Sequence, residues 1–510
     1  AASRALHSQR ISDAVESISQ GDVQDEARAL AEYVSNPKEE AQAIRSLLFV
    51  QYIGGSIASA IVNLTQTVVQ TFPFLSQYGG GIKAGRRIGA AMKIAAGGKI
   101  ADKDLAAAVA RAEKDGIIKP QEVFQLQAEA SRNLGSNLYV RSLLAAWGSM
   151  FQLAEVFNRR VAFIAAYTTA KEQGIADPFS FAENAVDETQ GVFNKGNRPN
   201  WARGAVGSTV FTFKTFTIQY VEFLKRLATA GEPGSPERAR GRKAAALALL
   251  ALLLLAGMKG MPFADDAEDL IDTVAQALGY NWTTDAQIDK WMDDTLGQVW
   301  SDIFQHGLSG VPGVPFDVSQ RLGMPTLLPG TGLLKQSETN KQNQVLEVFG
   351  VVGAAVRDAT QGQFFPIAIR NLMVGLDTYE TGLYRDRRGR GVTEADTLDA
   401  ALKAIGLQPN NVARAQRDIG RQIELRSLYQ SVKEEITDSW AQARFAGDAD
   451  GINNARASLQ RWNDMNPEAR IIILPRTIEQ RVIQMRRSKA ERTIANAPKP
   501  LRASTAEALQ

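Results

Sequence analysis

The chain has 510 residues, 45% of them hydrophobic, with 58 Lys and Arg against 55 Asp and Glu. That length holds more than one hydrophobic core, the apolar content excludes global disorder, and a net charge of +3 excludes a molecule coated all over by nucleic acid. Cysteine is absent, which excludes disulfides and thiolate metal sites, and the two histidines, His7 and His306, lie too far apart in sequence to suggest zinc.

The first residues, AASRALHSQR, carry no initiator Met and no signal-peptide apolar stretch, as expected of a segment interior to a longer product or of a processed end. Gln24 to Tyr33 has helical periodicity, and Asn36-Pro37 stops it because a residue before Pro avoids the helical region. Pro37 opens a second helix that reads through to Leu75, with no charge from Leu47 to Phe74. Gly54, Gly55, Ser56 and Ala58 permit close helix approach, and Gln51, Asn63, Gln66 and Gln70 favour a bundle helix able to touch membrane as well. Tyr78 to Gly89, YGGGIKAGRRIG, lacks the Gly-Lys-Ser/Thr ending of a phosphate loop and reads as a flexible connector between helices. Lys99 to Glu113 is an amphipathic helix, and Tyr139 to Ala170 a long one. Glu155, Asn158, Arg159 and Arg160 sit in its middle, and a Glu/Arg pair buried there is structural, since no nucleophile or acid partner accompanies it.

In GSTVFTFKTFTIQYVEFLKRL, the alternation of Phe211, Phe213 and Phe216 is strand-like, but Phe216, Tyr220, Phe223, Leu224 and Leu227 continue it with helical spacing. The whole segment reads as a helix with an aromatic face flanked by Lys214, Lys225 and Arg226, which suits a lipid interface and equally an ordinary core. After a break at Glu232–Pro236 comes AAALALLALLLLAGM, Ala244 to Met258, preceded by Arg238, Arg240, Arg242 and Lys243 and followed by Asp265, Asp266, Glu268 and Asp269. Leu and Ala make it helical, and the two segments form a helical hairpin. With no polar face the run belongs in a core or in lipid, and it is short of the ~20 residues of a bilayer span. Both readings stand, and the candidate membrane or assembly residues are Leu247, Leu250, Leu252, Leu254 and Leu255, with Phe211, Phe213 and Phe216.

Asp265 to Gly279 and Asp285 to Gly307 read as acidic helices, the second carrying Trp291 and Trp300. Gly310 to Gly332 is irregular but ordered, because Phe316, Leu322, Leu327 and Leu328 call for burial. Asn343 to Thr378 is helix broken at Phe365-Pro366, Asp386 to Arg390 is a basic turn, and Thr393 to Ile405 and Asn410 to Phe445 are helices with solvated charged faces. From Arg470 onward the chain is basic and ends in a loose tail. Arg476, Arg481, Arg486, Arg487 and Arg492 are candidate contacts to phosphate in DNA or in lipid headgroups, or else a solvated face.

The expected fold is mainly α: an extended multi-helix assembly with one or more bundles and an irregular Gly/Pro-rich region. Its expected segments are a helical stretch over 1–36, a helical domain over 37–231, the apolar hairpin with acidic helices and loop over 232–335, and a C-terminal helical region with a basic tail over 336–510. No catalytic constellation is visible, so neither an enzyme nor a cofactor or metal is expected of this segment.

A series of short motifs remains. Asn63-Leu64-Thr65-Gln66 leads to Pro73, and Glu155-Val156-Phe157-Asn158-Arg159 is followed by AFIAAY. Asn197-Arg198-Pro199, Val210-Phe211-Thr212-Phe213-Lys214 and Ala256-Gly257-Met258-Lys259-Gly260-Met261-Pro262 come next, then Phe316 to Gly323 and Phe365-Pro366. In this order they resemble the C-terminal region of large phage polyvalent proteins, often labelled the PLxRFG domain, between Gln42 and Gly406. The resemblance implies an internal virion protein of a tailed phage, mostly of the short-tailed kind, packed in the capsid and reassembled in the host envelope after ejection. It implies an oligomeric DNA-ejection conduit built with copies of itself and other ejection proteins. Contact with portal or tail, with the host inner membrane, and weak non-specific contact with double-stranded DNA would accompany it. A cysteine-free helical chain without long-range sheet suits that route. Two alternatives stay open: a portal-associated core protein that scaffolds packaged DNA, and a piece of an envelope-acting enzyme whose catalytic domain lies elsewhere.

Overall fold

The computed structural model describes residues 13–35, 57–119, 138–190, 203–204, 215–262, 264, 267–268, 271, 284–319, 367–386, 389–467, 469–486, 491, 497 and 499–503. These residues are mainly helical, with only short antiparallel strands. They belong to two compact units, one of Ala1–Glu268, Asp289–Thr331 and Gln344–Ala415, the other of Asp269–Ile288, Gly332–Asn343 and Gln416–Gln510.

In the first unit, α1 (Gly21–Ser35) precedes α2 (Ile57–Leu64), a π-helical turn (Thr67–Thr71), α3 (Phe72–Ser76), α4 (Gly81–Ala95) and α5 (Lys103–Lys114). The long α6 (Leu138–Gln173) and α7 (Pro178–Gln190) follow. Helix α6 is the axis of the core: Val161, Ala162, Phe163, Ile164, Ala165 and Ala166 are all buried, as expected of a helix apolar on every side. Helices α2, α4, α5 and α7 pack around it. The turn between α6 and α7 uses Gly174 at φ 66, and the Asp177 carboxylate accepts from the amides of Phe179 and Ser180, each at 3.0 Å, to start α7. Asp102 starts α5 in the same way, and Lys171 of α6 reaches over to Asp102 at 3.2 Å and Asp104 at 2.9 Å.

The stretch Tyr78–Gly89 is not a connector. From Gly81 it is α4, opened by Gly79 and Gly80 at φ 109 and 86, and it buries Ala84, Arg87, Ile88 and Ala91 at helical spacing. The long helix expected up to Leu75 is likewise interrupted, because the π-helical turn shifts the register between α2 and α3.

Helices α8 (Thr215–Thr229) and α9 (Pro236–Ala256) form the expected hairpin within the same core. Ser235 caps α9, Pro236 fills its first turn, and Gly241 lets the two helices meet, since a Cβ there would strike the carbonyl of Leu227. Buried Tyr220 donates its hydroxyl to the Ala248 carbonyl at 3.0 Å. Helix α9 ends at Gly257, φ 74, a position a side chain cannot occupy because the backbone of Gln305 and His306 lies against it.

The acidic segment after it is broken by Gly297 at φ 77 into α10 (Thr284–Leu296) and α11 (Gln298–His306). A short 3-10 turn (Gly307–Gly310) leads to β1 (Phe316–Asp317), the described part of the irregular region; Leu322, Leu327 and Leu328 lie outside the described residues. Helix α12 (Ile367–Thr381) is followed by a hairpin of β2 (Leu383–Arg385) and β3 (Gly391–Glu394), closed by the basic turn, where the Asp386 carboxylate accepts from the Arg390 amide at 2.9 Å. Thr393 is therefore strand, and α13 (Thr397–Ala404) starts later than expected, at a capping box of Asp396 and Asp399. The strand β4 (Gln408–Pro409) pairs with β1 through Phe316↔Pro409 and Asp317↔Gln408.

Helix α14 (Asn410–Ala446) opens in the first unit, and its residues from Gln416 belong to the second. There, with α15 (Ala449–Met465) and α16 (Pro475–Arg486), it encloses two small apolar clusters, one of Val432, Ile436, Trp462 and Ile471 and one of Ala441, Ile478 and Val482.

Candidate functional site

The motifs at Asn63–Gln66 and Glu155–Arg159, some ninety positions apart, meet in one buried polar seam. Glu155, on α6, is 3% exposed; it accepts from Arg159 Nε at 2.8 Å, one helical turn on, and from Asn63 Nδ2 at 3.1 Å. Asn158 donates to the Asn63 carbonyl at 2.6 Å and accepts from the Thr67 hydroxyl at 3.1 Å. The π-helical turn makes this possible by facing Thr67, Gln70 and Thr71 inward together. Thr71 then donates to Thr189 at 3.2 Å and accepts from Gln190 Nε2 at 3.0 Å, which extends the seam onto α7. Two carbonyl oxygens along it, Gln66 Oε1 and Gln190 Oε1, are buried without a hydrogen-bond partner.

The seam contains no cysteine, and its hydroxyls and the amides of Asn63 and Asn158 are spent within it, which leaves the two glutamine oxygens as its unpaired acceptors. Both Glu155 oxygens are held, one by the Arg159 guanidinium and the other by the Asn63 amide. Among the described residues no group of three or more His, Asp or Glu stands together as a metal set. What the seam does is fix one register of α2, α6 and α7, because any slip would strand buried polar groups, each at a cost of about 1–3 kcal/mol. A second polar anchor was not expected from sequence: buried Arg87 of α4 pairs with Glu172 of α6 at 2.5 Å and donates to the Tyr78 carbonyl at 2.8 Å.

The candidate membrane or assembly residues separate by face. Leu252 is fully buried in the core with Ala244, Ala248 and Ala256, whereas Leu250 and Leu254 are exposed and Leu247 and Leu255 half-buried. Helix α9 is thus a core helix on one side and an apolar surface on the other, and no helix among the described residues is long and apolar enough to cross a membrane. Phe211 and Phe213 lie outside the described residues, as does the side chain of Phe216. The aromatic face that follows is core: Tyr220 and Phe223 are buried, and burial pushes the Tyr220 phenol well above its ordinary range.

Sequence reading missed two helices whose faces are reversed. On α11, Ser301, Gln305 and His306 are buried while Val299, Trp300 and Phe304 face outward. On α12, Asn371 and Thr378 are buried while Leu372, Met373, Leu376 and Tyr379 face outward. The signal was present in the α11 stripe, but an apolar stripe is ordinarily assigned to the core.

In the basic tail, Arg476 and Arg486 are exposed on α16. Arg481 is already engaged by the Asp438 carboxylate, with Nη2 at 2.9 Å from Oδ2, and that bonding raises its pKa further. Arg487 and Arg492 lie outside the described residues. Compared with known proteins, the chain matches no family model, no curated protein and no solved structure.

Proposed function

We propose that this chain is an internal virion protein of a tailed phage that forms part of an oligomeric DNA-ejection conduit across the host envelope. The observation that carries the reading is the outward-facing apolar surface of α9, α11 and α12, set on a core that is locked by its own polar seam. Contiguous exposed apolar faces mark surfaces meant for partners or membrane. The ordered motifs that resemble the phage polyvalent region support the same reading, because those at Asn63–Gln66 and Glu155–Arg159 are the residues from which the seam is built. The partners in this reading are further copies of the chain and other ejection proteins, with the inner membrane and passing DNA touched weakly. Exposed Arg476 and Arg486 suit a salt-sensitive, sequence-independent contact to phosphate.

Electron microscopy of the purified chain mixed with membranes of bacterial envelope lipids tests this. Closed oligomers seated at the membrane are expected; monomers that never associate with lipid or with one another at any concentration would contradict it.

A further inference from the structure

The first unit carries two exposed surfaces of matching apolarity and opposite charge. On α9, Lys243, Leu250 and Leu254 recur at i, i+7 and i+11, which places them on one stripe of the helix with Ala246 and Leu247 between. Leu250 is 47% and Leu254 61% exposed. Arg240 and Arg242 flank the stripe, and neither Arg242 nor Lys243 has an acidic partner among the described residues. The other lies on the residues of α10 from Asp289 onward and on α11, which belong to the first unit. Trp291 and Trp300 are 65% and 67% exposed, with Leu296, Val299 and Phe304 beside them. Asp293 and Asp294 of α10 are exposed and unpaired among the described residues.

We propose that the α9 stripe of one copy docks on the α10–α11 surface of a second copy of this chain. The inference rests on the oligomeric reading above and names the surfaces that make the oligomer. Three features select this occupant. The inward face of α11 is polar, with Ser301 and Gln305 bonded to each other at 2.9 Å, so the helix is not simply a core helix turned slightly out. Trp291 and Trp300, of the residue type most enriched where binding energy concentrates, are both about two-thirds exposed. Exposed Asp293 and Asp294 on the same helix as Trp291 repel an anionic bilayer, whereas the chain itself supplies an exposed leucine stripe edged by unpaired cations. Docking buries the leucines on the tryptophans and sets Arg242 and Lys243 against Asp293 and Asp294.

Sedimentation velocity of the full chain over a concentration series tests the pairing. Trp300→Ala is expected to weaken self-association about thirtyfold, as for a central interfacial aromatic. Asp293→Lys/Asp294→Lys and Arg242→Glu/Lys243→Glu are each expected to weaken it about tenfold, the effect of turning two exposed attractions into repulsions. The chain with all four charge reversals is expected to associate like the wild type, and because it carries every substitution, its recovery separates lost docking from lost folding. A quadruple variant no tighter than the doubles overturns the pairing. Doubles that assemble like wild type overturn these surfaces while leaving an oligomeric conduit in place. A wild-type chain that stays monomeric, or that floats as a monomer with anionic phospholipid vesicles through these same residues, overturns both.

Discussion

Removing the cation of the buried seam has a consequence that can be worked from the geometry. In Arg159→Ala the Glu155 carboxylate keeps only the Asn63 amide at 3.1 Å and stays out of water, at 3% exposure. An uncompensated charge of this kind costs about 3–5 kcal/mol, against a whole-domain stability of about 5–15 kcal/mol. At about 2–4 °C per kcal/mol for a large domain, the thermal midpoint should fall by roughly 10 °C. Circular dichroism at 222 nm during heating reads this directly, since the unit is helical. Glu155→Gln/Arg159→Met, which leaves an oxygen to accept from Asn63 and no charge on the pair itself, should recover most of the loss, short of what the Asp187 carboxylate loses when the Arg159 charge goes. A shift below about 2 °C in Arg159→Ala, with no recovery in the double variant, would refute the seam as a buried ion pair.

Smaller perturbations follow at single side chains. Tyr220→Phe removes the hydroxyl bonded to Ala248 and should cost about 0.5–1.5 kcal/mol in urea denaturation. Because burial raises the Tyr220 pKa, the wild type should also lose stability as pH rises beyond the ordinary tyrosine range, a loss that Phe does not show. The Asp102 carboxylate is held low, first by the Leu105 amide and then by Lys171, so its contribution is present above the ordinary carboxylate range and is lost as pH falls through its lowered value. Asp102→Asn, which still caps α5, should flatten that acid limb in pH-dependent melting. In fluorescence anisotropy with duplex DNA at low salt, Arg476→Ala/Arg486→Ala should weaken binding and lower its salt dependence, whereas Arg481→Ala should leave binding alone and cost at most about 1 kcal/mol of stability.

What could be read from the sequence tracks the range of the interaction. Helices α6 and α14 were legible because their periodicity is local, and so was a buried Glu/Arg pair in the middle of α6, which proves to be Glu155 with Arg159 at i, i+4. The hairpin of α8 and α9 followed from the break at Glu232–Pro236. The rest of the seam was not legible: the charge-free run around Asn63 and Thr67 pointed to a bundle helix, but their partners, like that of Thr189, lie about a hundred positions away, and nothing local says which polar groups will meet. Arg87 was hidden by its neighbours. A Gly-rich basic stretch looks like a loop, although Ala84, Arg87, Ile88 and Ala91 already had the spacing of a buried helical face. The outward faces of α11 and α12 escaped for the opposite reason, since an apolar stripe states only that it will be covered, by the chain's own core or by something else.

Current recorded across a planar bilayer of anionic envelope lipids, with the purified chain added on one side, bears most directly on the conduit. Discrete conductance steps are expected, appearing only at concentrations where the chain is oligomeric and blocked transiently when double-stranded DNA is added. A bilayer that stays electrically silent under a chain shown to be oligomeric would contradict a role in carrying DNA across the envelope.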